Sequence, residues 1–159
     1  MRHSIPLDAL PAEVLAKLIR KQGTAPFVGC TMAVPFAQLV SDNGGRKYGA
    51  RAVRTANGGY RAAMFLAAPY RAAKDALQQR ARLAMGHQKI TGDPVRLTVQ
   101  LWYPDLRRRD MLNYAKLLCD AMKGVVFQDD SQIVSAEWLV VGVDKQQPRA
   151  LVTVVPQQP

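Results

Sequence analysis

Apolar and polar residues alternate in the segment PVRLTVQLWYP, and this alternation constrains the fold more than any other feature of the chain. Side chains of a β-strand point alternately to the two faces of a sheet, so Val95, Leu97, Val99 and Leu101 share one face. The pattern therefore predicts a strand that is buried on one side. Pro104 and the arginines that follow predict its end.

The flanking segments predict two helices and further strands. APYRAAKDALQQRARLAMG is rich in helix-forming residues and ends at Gly86, and MLNYAKLLCDAMKG predicts a second helix that ends at Gly124. The segments IVSAEWLVVGV and ALVTVV predict two strands, and CTMAVPFAQLV is β-like up to Pro35. Because strands and helices do not alternate regularly, we predict a single α+β domain with a mixed or antiparallel sheet of about four strands.

Two stretches lie outside this pattern. PLDALPAEVLAKLIRKQG predicts a short amphipathic helix that starts at Asp8 or Pro11 and ends at Gly23, and we interpret it as an accessory extension. SDNGGRKYGARAVRTANGGYR contains two Gly-Gly pairs and five basic residues, which indicates a mobile loop or loose hairpin. Such a basic loop suits either a nucleic-acid backbone or plain solvation at the surface.

The formal net charge of +10 and the pI of about 10.1 favour a polyanionic partner. Between Ser41 and Asp110 there are fourteen basic and five acidic residues, whereas acids slightly outnumber bases afterwards. This division suits a protein that grips phosphates with one part and a cation with another. A ribosomal or nucleoid protein that needs only positive charge fits the composition equally well.

Several classes of protein and site lose support. The chain has no apolar run of eighteen residues and no apolar signal core near its N-terminus, and Cys30 and Cys119 are far apart, so we expect a cytoplasmic protein with reduced thiols and no membrane partner. Two histidines and no cysteine cluster argue against zinc. No nucleophile elbow, P-loop or dinucleotide fingerprint is present.

Carboxylates and a lysine remain as candidate chemistry. On a helix that starts at Asp110, with about 100° per residue, Asn113, Lys116 and Asp120 fall within an arc of roughly 60°. A later acidic turn brings Asp129 and Asp130, which can fold back against Asp110. Carboxylates from two elements, with positions left open for water and phosphate, are what Mg²⁺ needs.

Each of these features also has an ordinary structural interpretation. Asp110 is a favourable N-cap, and Lys116 and Asp120 have the spacing of a surface ion pair. The segment QDDSQ suits a turn, and the arginine run suits a plain basic surface. Only the joint spacing favours a catalytic site.

The segment PDLRRRDMLNYAKLLCDAMKGVVFQDDSQIV resembles the RusA family of Holliday-junction resolvases. The family pattern is an arginine-rich run, Asp-x-Asp-Asn, a lysine three residues on, an Asp-Ala-Leu-type helix end and a paired Asp-Asp followed by a small residue and Gln. The residues of this chain that match the pattern are Asp110, Asn113, Lys116, Asp120, Asp129, Asp130 and Gln132. The resemblance predicts an extension over residues 1–30 and a RusA-like endonuclease domain over residues 31–159.

The resemblance implies a homodimeric endonuclease of recombination and repair, common in phages and prophages, which cuts four-way or branched DNA by paired symmetric nicks. Its cofactor would be Mg²⁺, with Mn²⁺ as an alternative ion. Asp110, Lys116 and Asp130 would be catalytic, Asp110, Asp129 and Asp130 would bind the metal, and Asn113 and Asp120 would support them. The expected DNA-binding residues are Arg46, Lys47, Arg51, Arg54, Arg61, Arg107, Arg108 and Arg109.

Leu112 departs from the family pattern, because fuller members carry a second aspartate there. On the helical wheel Leu112 lies about 40° from Lys116, so it flanks the polar stripe. A water and Asp129 can take the place of the missing acid, or the protein binds junctions without cutting them, or the leucine is an engineered or accidental change that disables an active enzyme. A general basic RNA- or DNA-binding protein is a third hypothesis, although single-strand binders usually stack bases on aromatic side chains.

Overall fold

The computed structural model describes residues 23–41 and 48–157 of the chain. The predicted N-terminal helix, Arg46 and Lys47 lie outside these ranges. The elements in chain order are β1 (Cys30–Pro35), β2 (Tyr48–Arg54), β3 (Tyr60–Leu66), α1 (Ala68–Met85), β4 (Val95–Tyr103), α2 (Ala115–Met122), β5 (Ile133–Val143) and β6 (Arg149–Pro156). Short 3-10 helices cover Phe36–Gln38, Met111–Tyr114 and Asp130–Gln132.

The main sheet has four strands in the order β1-β6-β4-β5. β6 is antiparallel to both β1 and β4, whereas β5 is parallel to β4. The predicted α+β domain with a mixed sheet of about four strands and two main helices is therefore confirmed. A parallel pair needs a crossover connection, and here that connection contains α2 and every predicted carboxylate.

β4 lies between β6 and β5, and its predicted apolar face forms the centre of the core. Val95, Leu97, Val99 and Leu101 are at most 1% exposed. They pack in one cluster with side chains of both helices, among them Leu117. Burial of this size contributes roughly 1.5–3 kcal/mol per large apolar side chain, so the core anchors α2 beneath the candidate site.

β2 and β3 form a separate two-stranded antiparallel sheet that is not hydrogen-bonded to the main one. Their turn is closed by Thr55 and Gly59, and Gly58 has φ +79°, which favours glycine. Of the predicted loop or loose hairpin, residues 48–61 belong to a hairpin, and residues 42–47 lie outside the described residues. The dipeptide Asn57-Gly58 is the sequence signal for such a turn.

In the part of the chain that the structure describes, no helix is both long enough and apolar enough to cross a membrane.

Candidate active site

Two lysines and three aspartates form one ionic cluster beside α2. Lys116 Nζ lies 2.9 Å from Asp120 Oδ1 and 3.8 Å from Asp130 Oδ2. Lys123 Nζ contacts the carboxylate of Asp129 and lies 3.6 Å from Asp130 Oδ1. We call these five residues the lysine–aspartate cluster. Asp130 occupies its centre, because each of its two oxygens faces a different ammonium group.

α2 supplies Lys116 and Asp120 of this cluster. Its apolar face, which includes Leu117, Leu118 and Ala121, is fully buried, so the opposite face presents Lys116 and Asp120. The hydroxyl of Tyr70, from α1, donates to Asp120 Oδ2 at 3.2 Å. The Asp120 carboxylate is therefore held from two helices, and it in turn holds Lys116.

A capped turn supplies Asp129 and Asp130. The side chain of Asp129 accepts from the backbone N–H of Ser131 at 3.0 Å and caps the 3-10 helix Asp130–Gln132. Gln132 completes a capping box, because its Oε1 accepts from the N–H of Asp129 at 2.8 Å. The Asp-x-x-Gln spacing is the sequence signal for this motif, but sequence reasoning did not identify it as a helix cap.

Gln132 also ties the turn to the residues that precede β4. Its Nε2 donates to the carbonyl of Thr91 at 3.1 Å and to that of Asp93 at 2.9 Å, while Oε1 also accepts from the N–H of Gln128 at 2.8 Å. This amide side chain therefore helps to fix the position of Asp130 over α2, together with the Asp129 cap and the lysine contacts.

The ionic contacts favour the charged forms of both lysines and of Asp129. The hydrogen bond to Asp120 raises the pKa of Lys116, and the hydrogen bond to Asp129 raises the pKa of Lys123. In return, Lys123 holds the pKa of Asp129 well below its usual range. Burial raises the pKa of the neighbouring Cys119 thiol to about 11, so this cysteine is neutral.

Asp110 lies before α2 rather than on it. Its backbone is extended, with φ −91° and ψ 113°, and its Oδ1 accepts from the N–H of Leu112 at 3.0 Å. Because residues 111–114 form a 3-10 helix, the angles expected for an α-helix starting at Asp110 do not apply to Leu112 and Asn113. Leu112 is 59% exposed and Asn113 is half-buried.

The structure places Asp129 and Asp130 next to each other. Within the described residues, neither carboxylate contacts Asp110. Within residues 23–41 and 48–157, no three His, Cys, Asp or Glu side chains lie close enough together to hold a metal ion. Mg²⁺ needs only one or two protein carboxylates when water and phosphate complete its shell, so the donor chemistry of Asp129 and Asp130 fits the ion. The predicted metal ligands stay a prediction.

The three arginines before Asp110 differ in their surroundings. Arg109 is 18% exposed and forms two hydrogen bonds to Asp105, of 2.6 and 3.0 Å. Its guanidinium also lies 5.3 Å from the ring centroids of both Phe36 and Tyr103. Arg109 therefore holds the chain leading to Asp110, a structural contact that sequence reasoning missed. The pKa of Asp105 is lowered to about 2, mainly by its hydrogen bond from Arg109.

The other predicted DNA-binding arginines that the structure describes are accessible. The Arg107 side chain is 84% exposed, and Arg108 is exposed as well. The hairpin carries three further exposed arginines, which are Arg51, Arg54 and Arg61. Their role in binding DNA is not tested by this geometry.

The chain matches a known protein family over most of its length. Residues 47–155 match the family described as Endodeoxyribonuclease RusA, whereas no curated protein sequence matches the chain. The matched range includes the hairpin, both helices, Asp110 and the whole lysine–aspartate cluster. It covers more than half of the chain and confirms the resemblance found in the sequence. The chain belongs to the RusA family of endodeoxyribonucleases.

Proposed function

We propose that this protein is a Mg²⁺-dependent nuclease that resolves four-way DNA junctions by symmetric nicks in two opposed strands. The observation that carries the proposal is the position of Asp130, whose two carboxylate oxygens face the ammonium groups of Lys116 and Lys123. A carboxylate for the cation and an ammonium for the phosphate thus lie side by side, a pairing that suits metal-assisted phosphodiester hydrolysis.

Asp110, Asp129 and Asp130 would be the metal ligands; Asp129 and Asp130 are adjacent, whereas Asp110 does not group with them in this structure and would have to approach them when the ion binds. When bound, the ion supplies a lowered pKa for an attacking water and neutralises charge on the scissile phosphate. Lys116 is protonated at neutral pH, as lysines ordinarily are, and Asp120 raises its pKa further, so it offers a positive charge to the phosphate. Asp120 and Asn113 orient this lysine and the start of α2.

The DNA backbone would be bound by arginines on two elements. Arg107 and Arg108 extend beside Asp110, and the hairpin arginines extend from a separate sheet. Arg46 and Lys47 belong to the same proposed surface by sequence. Phosphate contacts of this kind fix the register of a protein on DNA and supply most of its salt-dependent affinity.

Two subunits are needed for two symmetric nicks, and a two-fold axis in the protein matches the two-fold symmetry of a junction. We therefore propose a homodimer, formed by the domain over residues 31–159, with residues 1–30 as an extension. The proposed setting is the cytoplasm, in recombination or repair of DNA in a phage, prophage or host.

A second function has its own supporting observation. Leu112, exposed and hydrogen-bonded through its N–H to Asp110, stands where fuller members of the family carry an acid. A leucine cannot bind a cation, so the protein could instead bind junctions without cutting them.

Cleavage of a labelled synthetic four-way junction separates the two functions. The native chain and Leu112→Asp are each incubated with Mg²⁺ or with EDTA. Mg²⁺-dependent paired nicks by the native chain establish the nuclease. Nicks by Leu112→Asp alone establish the silent junction binder. If neither protein cuts, the nuclease proposal is wrong.

A further inference from the structure

The two faces of the β2–β3 hairpin differ in exposure. Residues opposite each other in an antiparallel pair point to the same side, so the register assigns every side chain to a face. One face, which we call the Tyr60 face, consists of Ala50, Ala52, Arg54, Tyr60, Ala62 and Met64. The other, which we call the Arg51 face, consists of Arg51, Val53, Arg61, Ala63 and Phe65.

The Tyr60 face is the more exposed of the two. Tyr60 is 74% exposed and Met64 is 68% exposed, and the other members of this face are exposed as well. On the Arg51 face, Val53 is half-buried and Phe65 is 38% exposed beneath the guanidinium of Arg51, which lies 5.7 Å from the ring centroid. The large apolar groups of the Tyr60 face therefore point to solvent.

The charge of the hairpin indicates what this face meets. Residues 48–66 contain three arginines and no acidic residue. An isolated two-stranded hairpin is at best marginally stable in water, so a partner that covers one face would stabilise it. A polyanion complements the charge, whereas a second copy of the same basic hairpin would be repelled.

The shape of the Tyr60 face favours one part of a DNA molecule over the rest. The Ala52–Ala62 pair forms a low centre between the larger Tyr60 and Met64, and Ala50 lies opposite Met64. The flat faces of DNA bases are covered by stacking within a duplex, but they become accessible where stacking is interrupted at a branch point. Aromatic side chains gain affinity by stacking on such bases.

We propose that Tyr60 and Met64 contact unstacked bases at the branch point and thereby select branched over linear DNA. The hairpin arginines bind phosphates that both kinds of DNA possess. This inference rests on the proposed junction function and assigns its selectivity to two side chains.

The test compares dissociation constants for a four-way junction and a linear duplex of the same sequence, both measured in EDTA. Tyr60→Ala and Met64→Ala are expected to weaken junction binding, on the order of tenfold for Tyr60. Their duplex binding and salt dependence stay unchanged. Tyr60→Phe retains the preference because it retains the ring. Val134→Ala, which changes a side chain 58% exposed on β5, is the matched control and leaves both constants unchanged.

The arginine variants have the opposite signature. Arg51→Ala and Arg61→Ala weaken both complexes, and each lowers the slope of log K against log salt by about one. A fluorescent base analogue at the branch point gives a second readout, because Tyr60 quenches its emission in the complex and Tyr60→Ala does not.

Two results overturn the inference. Either Tyr60→Ala leaves the junction-to-duplex ratio unchanged, with or without an equal loss of both affinities, or it dissociates the dimer in sedimentation, which would make this face a protein interface. A native chain without junction preference contradicts the proposed function and this inference together. A native chain with that preference, retained in Tyr60→Ala, contradicts this inference alone.

Discussion

The lysine–aspartate cluster and the β2–β3 hairpin are both highly charged, yet their charges are organised differently. In the cluster, Lys116, Lys123 and Asp130 are placed by ionic contacts and by a capped turn. In the hairpin, Arg54 and Arg61 extend from a sheet that is not hydrogen-bonded to the main one. Catalytic groups must be positioned within a fraction of an ångström, whereas groups that bind a backbone need only reach it.

The largest effect is expected from the centre of the cluster. Asp130→Asn removes the charge that faces both lysines and that would bind the proposed cation, so cleavage should fall by about a hundredfold. Junction binding should stay intact or become tighter, because a negative charge near the phosphates is lost. Cleavage assays and binding titrations check this, with the exposed Glu137→Gln as control. Unchanged cleavage by Asp130→Asn would contradict the assignment of Asp130 as a metal ligand.

The next effect concerns the amide that fixes the turn. Gln132→Ala leaves the N–H groups of Asp129 and Gln128 without their acceptor, which should cost about 1–3 kcal/mol in the free energy of unfolding. Gln132→Glu keeps the acceptor but loses the donor to Thr91 and Asp93. Denaturant unfolding and single-turnover cleavage measure both consequences.

We expect Gln132→Glu to lower the cleavage rate at saturating enzyme. The loss should exceed what its fraction of unfolded protein explains, because the substitution shifts Asp130. If both variants retain the native rate while folded, the turn does not position the site.

A smaller effect distinguishes two neighbouring arginines. Arg109→Ala removes the contacts with Asp105 and the Phe36 ring, so it should lower the unfolding free energy by roughly 1–2 kcal/mol. Arg107→Ala should leave stability unchanged and reduce the salt slope of DNA binding by about one. Thermal unfolding and salt titration of both variants check this. Equal stability losses would show that exposure does not separate the two roles.

The smallest effect is the pH dependence of the Arg109–Asp105 contact. The folded pKa of Asp105 is about 2, below its ordinary value of 3.8. The contribution of this pair to stability is therefore complete above pH 3.8 and is lost as the pH falls towards 2. Asp105→Asn should flatten the stability curve in that window. If the stability of Asp105→Asn keeps the native pH dependence in that window, other carboxylates cause the acid sensitivity.

Local patterns predicted the elements whose burial follows a simple period. The alternation around Val99 and the helix ending at Gly86 both appear in the structure as expected. β3 was missed because its alanines give no contrast between its two faces, although Asn57-Gly58 marked the turn.

Within the site, sequence reasoning found the acids and Lys116 but not the contacts that place them. Arg109 stacks on Phe36, which lies far away in the chain, and no local pattern reports such a contact. The helical wheel failed before Tyr114 because the first turn is a 3-10 helix rather than an α-helix. Lys123 was not singled out, since its partners Asp129 and Asp130 meet it only through the fold.

The most direct test of the contrast between cluster and hairpin is single-turnover cleavage of a four-way junction in Mg²⁺ over a range of enzyme concentrations. We predict that Lys116→Met lowers the rate at saturation and leaves the half-saturating concentration unchanged. The double variant Arg51→Ala and Arg61→Ala should raise the half-saturating concentration and reach the native rate. A native saturating rate for Lys116→Met, or a reduced one for the hairpin variant, would contradict the division between a fixed catalytic cluster and an exposed binding hairpin.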